Sequence, residues 1–188
     1  MPNWCHSYMT VTGAPSEIAR FKRTCIRVVP ELREQAQLDF NTIEPMPDFA
    51  DGETEPASFP EWYDWACKHW GTKSNACHFQ VTRDEPDRYE CNFDTAWTPP
   101  VPIWEKMGKL FPALMFRLWG HEPLMDFAFR GTIRDSTLDL REVPTVWSTV
   151  DPKTGATVSG TREEIEAVLG KHEVSAVSVG AGPPPEGL

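Results

Sequence analysis

Cysteine and histidine offer the most chemistry in this sequence, and Cys67, His69, Cys77, His78 and Cys91 crowd one stretch of it. A thiolate–imidazole metal site is the first chemistry such a group suggests. No C-x-x-C or H-x-x-x-H pair is present, however, and Cys77 and His78, as neighbours on a strand, would face opposite sides. The C-x-x-C-x-x-C spacing of an iron–sulfur cluster is absent too. Structural cysteines in a core are the better account, so no metal and no cofactor is expected. A nucleophilic pair such as Cys5 with His121 needs only proximity in space, and nothing in the sequence marks one. The Gly71-Thr72-Lys73-Ser74 turn has the flavour of a phosphate loop, but it follows a helical pattern where a phosphate loop precedes one, and its upstream glycine is missing. A helix stop with a polar turn explains it.

These residues are positioned by a stretch rich in tryptophan. Trp62, Trp65, Ala66 and Trp70 recur at intervals of three and four behind Pro60, which predicts a helix with one apolar face and Gly71 as its left-handed stop. Ala76–Thr82 and Tyr89–Thr95 alternate as strands, and Thr98-Pro99-Pro100 ends the second, since proline donates nothing to a ladder. Upstream, His6–Val11 reads as a strand, Gly13–Ser16 as a turn, and Ile18, Phe21, Cys25 and Ile26 as the buried side of a helix ended by Pro30. Leu38–Ile43 alternates as a second strand that leaves its sheet at Glu44-Pro45-Met46-Pro47, and residues 48–59 have the composition of a surface loop. Downstream come a helix over Val101–Phe111 and a strand pair, Leu114–Trp119 and Met125–Thr132, turning at Gly120-His121-Glu122-Pro123. Phe21, Phe40, Phe93 and Phe127 are the expected centres of the core.

The chain of 188 residues carries 18 basic and 28 acidic side chains, for a formal charge of −10. That field repels phosphate backbones unless a local basic patch overrides it. The densest basic cluster in the sequence, Arg20, Lys22, Arg23 and Arg27, lies on a helix beside acidic neighbours, so direct nucleic-acid binding is not expected. The start Met1-Pro2-Asn3-Trp4 shows no secretory leader, and five cysteines, an odd number, fit reduced thiols; a cytoplasmic protein is expected. No run approaches the roughly 20 apolar residues a membrane span requires.

Four uncommon motifs stand in order along the chain: the opening MPNWC, the strand exit DFNTIEPMP, WYDWACKHWGTKSNA and FDTAWTPPVPIWEKMGKLFP. Their order and spacing resemble the YubB ferredoxin-like, or Api-like, family of phage and plasmid proteins, over about residues 1–132. The sequence departs from that pattern at Ser74 and at LWGHEPLMDFAFRG, where the family often has a large residue and a more acidic hairpin. The resemblance implies an α+β fold, a ferredoxin-like α/β plait with a mainly antiparallel sheet, without an iron–sulfur cluster. The order strand, helix, strand, helix, strand, strand, helix, strand, strand fits a plait whose helices cover one face of its sheet.

Residues 1–140 then form the plait domain. Residues 141–178 read as a hairpin–helix extension packed on it, with Thr145–Val150 and Ala156–Ser159 around Asp151-Pro152-Lys153-Thr154-Gly155, and Thr161 with Glu164 as a capping box before a helix that Gly170 ends. Residues 179–188, GAGPPPEGL at their end, bury nothing and are expected to be disordered.

The surface most marked for binding combines Asp39 and Asn41 at the DFN strand end, Trp70, Thr72 and Lys73 around the GTK turn, and Trp97, Thr98 and Pro99 at the proline exit. Prolines fix loop shape, and tryptophan supplies large contact area at low entropic cost. The competing reading is that the same residues lock the loops to each other, with Trp97 buried over Gly71. The functional expectation is an acidic phage or plasmid accessory protein that binds a host protein without catalysis, one of a nucleic-acid-handling or defence complex, in the manner of a counter-defence (anti-CRISPR-like) inhibitor. The alternative is a small nucleic-acid-processing or nucleotide-modifying enzyme. Convergence of His6, His78, His121 or Lys73 on a carboxylate in one cleft would favour the latter.

Overall fold

The computed structural model describes residues 3–29, 35–49, 60–124, 127–151, 154–169 and 178–179. Strand β1 (Trp4–Thr12) alternates half-buried and buried along its whole length, with Cys5, Ser7, Met9 and Val11 on the covered side. A helix must therefore lie over that side, and α1 (Pro15–Cys25) supplies Ile18, Phe21 and Cys25 to it. Pro15 stands in its first turn. The helix ends where β-branched residues begin: Ile26 turns extended and opens β2 (Ile26–Val29), which pairs with β3 (Gln35–Leu38) as a separate two-stranded ribbon.

The strand expected over Leu38–Ile43 is shorter and earlier than its alternation suggests. The Asp39 side chain accepts from the Asn41 N–H and turns Phe40–Thr42 into a 3₁₀ turn. Next come α2 (Glu61–His69), β4 (Cys77–Asp84), β5 (Arg88–Ala96) and α3 (Val101–Leu110). Gly71, at φ +82°, follows α2 as the expected left-handed stop; a Cβ there would press on Pro102 and the Val101 amide.

Strand β6 (Met115–Glu122) runs through Gly120 and His121, which the sequence assigns to the turn. Gly120 lies where a Cβ would collide with the His6 carbonyl and the Phe129 ring, so glycine here marks close strand packing. Strands β7 (Phe127–Arg134) and β8 (Thr137–Val143) close the sheet, joined by Asp135 and Ser136, both at positive φ, the geometry that a two-residue hairpin requires. β8 has no counterpart in the sequence reading, although Leu138 and Leu140 alternate with polar neighbours, and it runs across residue 140.

The sheet order is β4-β5-β1-β6-β7-β8 and every neighbouring pair is antiparallel, which makes the fold α+β with an antiparallel sheet. One face packs on α1 and α3. Phe21 ties it together, meeting Tyr89 of β5, Phe116 of β6 and Phe111 after α3 edge-on at centroid distances of 6.0, 5.8 and 5.5 Å. Trp104 of α3 packs on Phe129 of β7 at 5.4 Å. Of the four phenylalanines expected in the core, Phe21, Phe40 and Phe93 are fully buried and Phe127 packs against the rim.

Beyond Val143, β9 (Trp147–Val150), β10 (Thr157–Gly160) and β11 (Ser178–Val179) form a three-stranded sheet in the order β10-β9-β11. At the β9–β10 turn Gly155 (φ +69°) donates to the Asp151 carbonyl, and α4 (Arg162–Leu169) opens on reciprocal bonds between Thr161 and Glu164. Met125, Gly170, residues 50–59 and residues 180–188 lie outside the described residues.

Candidate binding surfaces

Two surfaces draw on residues with chemistry to offer. The first is the corner that the motifs single out, and the structure uses most of it internally. Trp70 is 3% exposed, donates its indole N–H to the Glu44 carbonyl at 2.9 Å and meets Phe40 and Trp65 edge-on. Thr72 is buried and donates to the Ala96 carbonyl at 2.9 Å. Thr98 is exposed but donates to the Gly71 carbonyl, which ties the β5 exit to the α2 exit. Asp39, besides capping Asn41, accepts from Asn75, whose own carbonyl oxygen takes the Phe40 N–H. Asn41 is exposed and holds the Met46 amide, Lys73 and Pro99 are half-buried, and the Pro99 carbonyl accepts from Val101 at the start of α3.

Trp97 differs from these. Its side chain is 41% exposed on a backbone at φ +72°, a conformation that costs a bulky residue on the order of 1–3 kcal/mol. Its N–H is held by the Asn3 carbonyl, and Thr95 Oγ1 donates to the Thr98 carbonyl beneath it. Two hydrogen bonds hold the loop, and it turns an indole outward.

The second surface is the sheet face opposite α1 and α3, which the sequence reading did not assemble. Strand alternation places Trp4, His6, Tyr8 and Thr10 of β1 there, and the register sets His6 beside Asp94 of β5 and His121 of β6. His6 Nδ1 lies 2.6 Å from Asp94 Oδ1, and His78 Nδ1 lies 2.8 Å from Asp94 Oδ2. His78 reaches this face because β4 is bulged between Cys77 and Gln80 and its backbone takes φ +51°, against the alternation expected for neighbours on a strand. Trp4 meets the His78 ring edge-on at 5.1 Å, and His121 stands 5.1 Å from His6.

The row shifts the pKa values of His6, Asp94 and His121. The hydrogen bond to Asp94 raises the pKa of His6. Burial opposes ionisation of Asp94, but the hydrogen bonds from His6 and His78 together hold its carboxyl below the usual range. His121, 6% exposed, is pushed down to about 4 by burial first and by the charge of His6 second, so it is neutral at pH 7.

One row further along the sheet, Tyr8 and Trp119 are directly paired and their rings stack at 3.7 Å, 4° from parallel. The row continues into Arg130 of β7 and Arg141 of β8. Arg117 lies in the next row and Arg134 in the row after that, so four arginines gather on three adjacent strands, with Asp139 as the acidic residue among them. Their spacing in sequence gives no cluster, and only the register of three strands brings them together.

The expectation of structural cysteines in a core holds for Cys5, Cys25 and Cys91, which are buried, whereas Cys77 is half-buried and Cys67 exposed. Cys5 points to the covered side, away from His121, and burial pushes its pKa up to about 12. Burial likewise raises Cys25 to about 12 and Cys77 to about 11. Among the described residues no group of three or more histidine, cysteine, aspartate or glutamate side chains is arranged to hold a metal ion, and no helix is long and apolar enough to cross a membrane.

No family model matches the chain, and no curated protein does. Among solved structures the chain is similar to the protein api92 from Yersinia pseudotuberculosis, with a TM-score of 0.53 over 76% of this chain and 98% of that one. At 9% identity that likeness is one of fold.

Proposed function

We propose that this chain is a ferredoxin-like α/β plait of the YubB (Api-like) kind, carrying residues 141–178 as a hairpin–helix extension. It acts in the host cytoplasm as an accessory protein of a phage or plasmid and binds a host protein without turnover. The fold reading is supported by β1, α1, β4, β5, α3 and β6: their succession, with sheet order β4-β5-β1-β6, is that of a split β-α-β plait. The likeness to api92 supports it independently.

One observation carries the binding function: Trp97 is presented to solvent on a hydrogen-bonded loop at positive φ while its neighbours Trp70 and Thr72 are buried. Folding energy is spent on exposing an indole, and rigid aromatic anchors are where binding energy concentrates. Charge adds steering. The open sheet face holds Arg83, Arg88, Arg117, Arg130, Arg134 and Arg141 against Glu90, Asp94 and Asp139, which leaves twelve basic against twenty-five acidic residues for the rest of the chain. The acidic excess therefore belongs to the rest of the chain, and it attracts a basic partner, such as a component of a nucleic-acid-handling or defence complex. A counter-defence inhibitor acts in this way.

The test is capture of the partner from the natural host, followed by kinetics with the purified pair. Trp97→Ala is expected to speed dissociation at least tenfold, and association is expected to slow as salt rises from 50 to 500 mM. Unchanged dissociation would remove the Trp97 loop from the interface. A second reading, nucleic-acid processing or nucleotide modification, draws on the gathering of His6 and His78 around Asp94; turnover of such a substrate by the purified protein would establish it in place of the first.

A further inference from the structure

We propose that the open face of the main sheet binds single-stranded nucleic acid, with the Tyr8–Trp119 pair stacking a base and Arg117, Arg130, Arg134 and Arg141 meeting the backbone phosphates. The first support is charge. On strands β6 to β8 this face carries four arginines and one carboxylate, Asp139, inside a chain whose net charge is −10. A patch of opposite sign to its protein is unlike a charge spread for solubility, and it is the local override that phosphate binding needs.

The second support is the pairing of two cations in one row. Arg130 and Arg141 stand directly opposite each other across the β7–β8 ladder. Two guanidinium groups so placed can grip one phosphate from both sides. Arg141 also bonds Asp139, with both side chains well exposed, and Arg134 donates to Met115 Sδ, so both are already held at the sheet surface. All four cations are arginine. The guanidinium grips phosphate with two donors and stacks on bases, which lysine does not do.

The third support is the platform itself. Tyr8 and Trp119 are half-buried at the centre of the face, in the same row as Arg130, Arg141, Asn92 and Gln80. Aromatic rings on an open sheet beside a basic groove recur in single-strand recognition, because every base offers a π-face to stack and none is specified by it. A duplex hides those faces and would bring a denser line of phosphates toward the acidic remainder of the chain.

The experiment uses the full chain and fluorescein-labelled 12-nucleotide mixed-sequence oligomers, DNA and RNA, each single-stranded and as a duplex, with anisotropy read between 50 and 200 mM salt. Either single strand is expected to bind at least tenfold more tightly than its duplex. Trp119→Ala is expected to weaken binding about tenfold, within the range of one lost stacked base. Arg130→Gln with Arg141→Gln, both on a solvent-facing surface, is expected to lower the slope of log affinity against log salt by about 1.4, the loss of two phosphate contacts. Trp97→Ala is expected to leave oligonucleotide binding unchanged, so this result stands or falls apart from the protein-binding surface. The inference is overturned if no single strand binds at 50 mM salt, or if the duplex binds equally well. It is also overturned if the arginine double variant keeps the affinity and slope, or if polyglutamate of equal charge displaces the oligomer as well as unlabelled single strand does.

Discussion

The Trp97 corner and the open sheet face are built by opposite routes. The corner comes from three short stretches rich in proline, glycine and tryptophan, and it uses its polar groups on its own backbone: Thr72 on Ala96, Thr98 on Gly71, Trp70 on Glu44. The open face comes from single residues spaced two apart on six strands, and its rows run across the chain from Asp94 to His6 to His121. Residues that stand out in a sequence are often those that shape loops, because unusual backbone requires unusual residues. Residues that face a ligand from a sheet are ordinary in type and become a site through register alone.

The largest effect tests whether the corner is a lock. Trp70→Ala removes a buried indole together with its contacts to Phe40 and Trp65 and its bond to the Glu44 carbonyl. The cost is expected at about 3–5 kcal/mol, a large share of the stability of an ordinary domain. Urea unfolding reads it directly. A loss below about 1 kcal/mol would mean that Trp70 supports no structure and would return it to the candidate contact residues.

How much of this was legible follows from the same contrast. Helices α2 and α3, strand β5 and the Gly71 stop appear where spacing puts them, since local periodicity and turn chemistry decide them. Strand β3 lies earlier than its alternation suggests because the Asp39 cap competes with extension, and β6 runs on through Gly120, a residue that reads as a turn but is a packing requirement. Of the candidate site, Trp97 could be named from its Thr-Pro-Pro context, but its exposure could not. The His6–Asp94–His78 row needs a bulge and a non-glycine residue at positive φ, and neither has a sequence signal here. The arginine stripe needs the β7–β8 hairpin, whose second strand is marked in the sequence only by the alternation of Leu138 and Leu140.

The next effect sharpens the open face. His121 is buried neutral beside His6 and Asp94, and its folded pKa near 4 lies below the ordinary 6.5. A depressed folded pKa contributes stability that is present above 6.5 and lost as pH falls toward 4, because the unfolded chain takes up the proton first. His6 works the other way: its raised value contributes stability that develops as pH falls through its folded pKa and is complete below 6.5. The two windows meet at 6.5 and do not cancel. Between pH 6.5 and 4 the protein is expected to lose about 3 kcal/mol more than His121→Asn does, which urea midpoints at four pH values would read. Parallel curves would mean that His121 is hydrated and outside the row.

The smallest effect separates strain from contact at Trp97. Alanine and glycine both remove the indole, so both should abolish its part in partner capture equally. They differ in backbone. At φ +72° alanine keeps the Cβ that crowds the following carbonyl, at a cost of about 1–2 kcal/mol, whereas glycine adopts the conformation freely and gives back part of the difference as unfolded-state entropy. Trp97→Gly is therefore expected to be more stable than Trp97→Ala by about 1 kcal/mol, measured by thermal or urea unfolding. If alanine is as stable as glycine, the loop relaxes out of the left-handed region once the indole is gone. The bonds from Trp97 to Asn3 and from Thr98 to Gly71 would then not suffice to hold it, and the rigidity that makes Trp97 an anchor would come from the side chain itself.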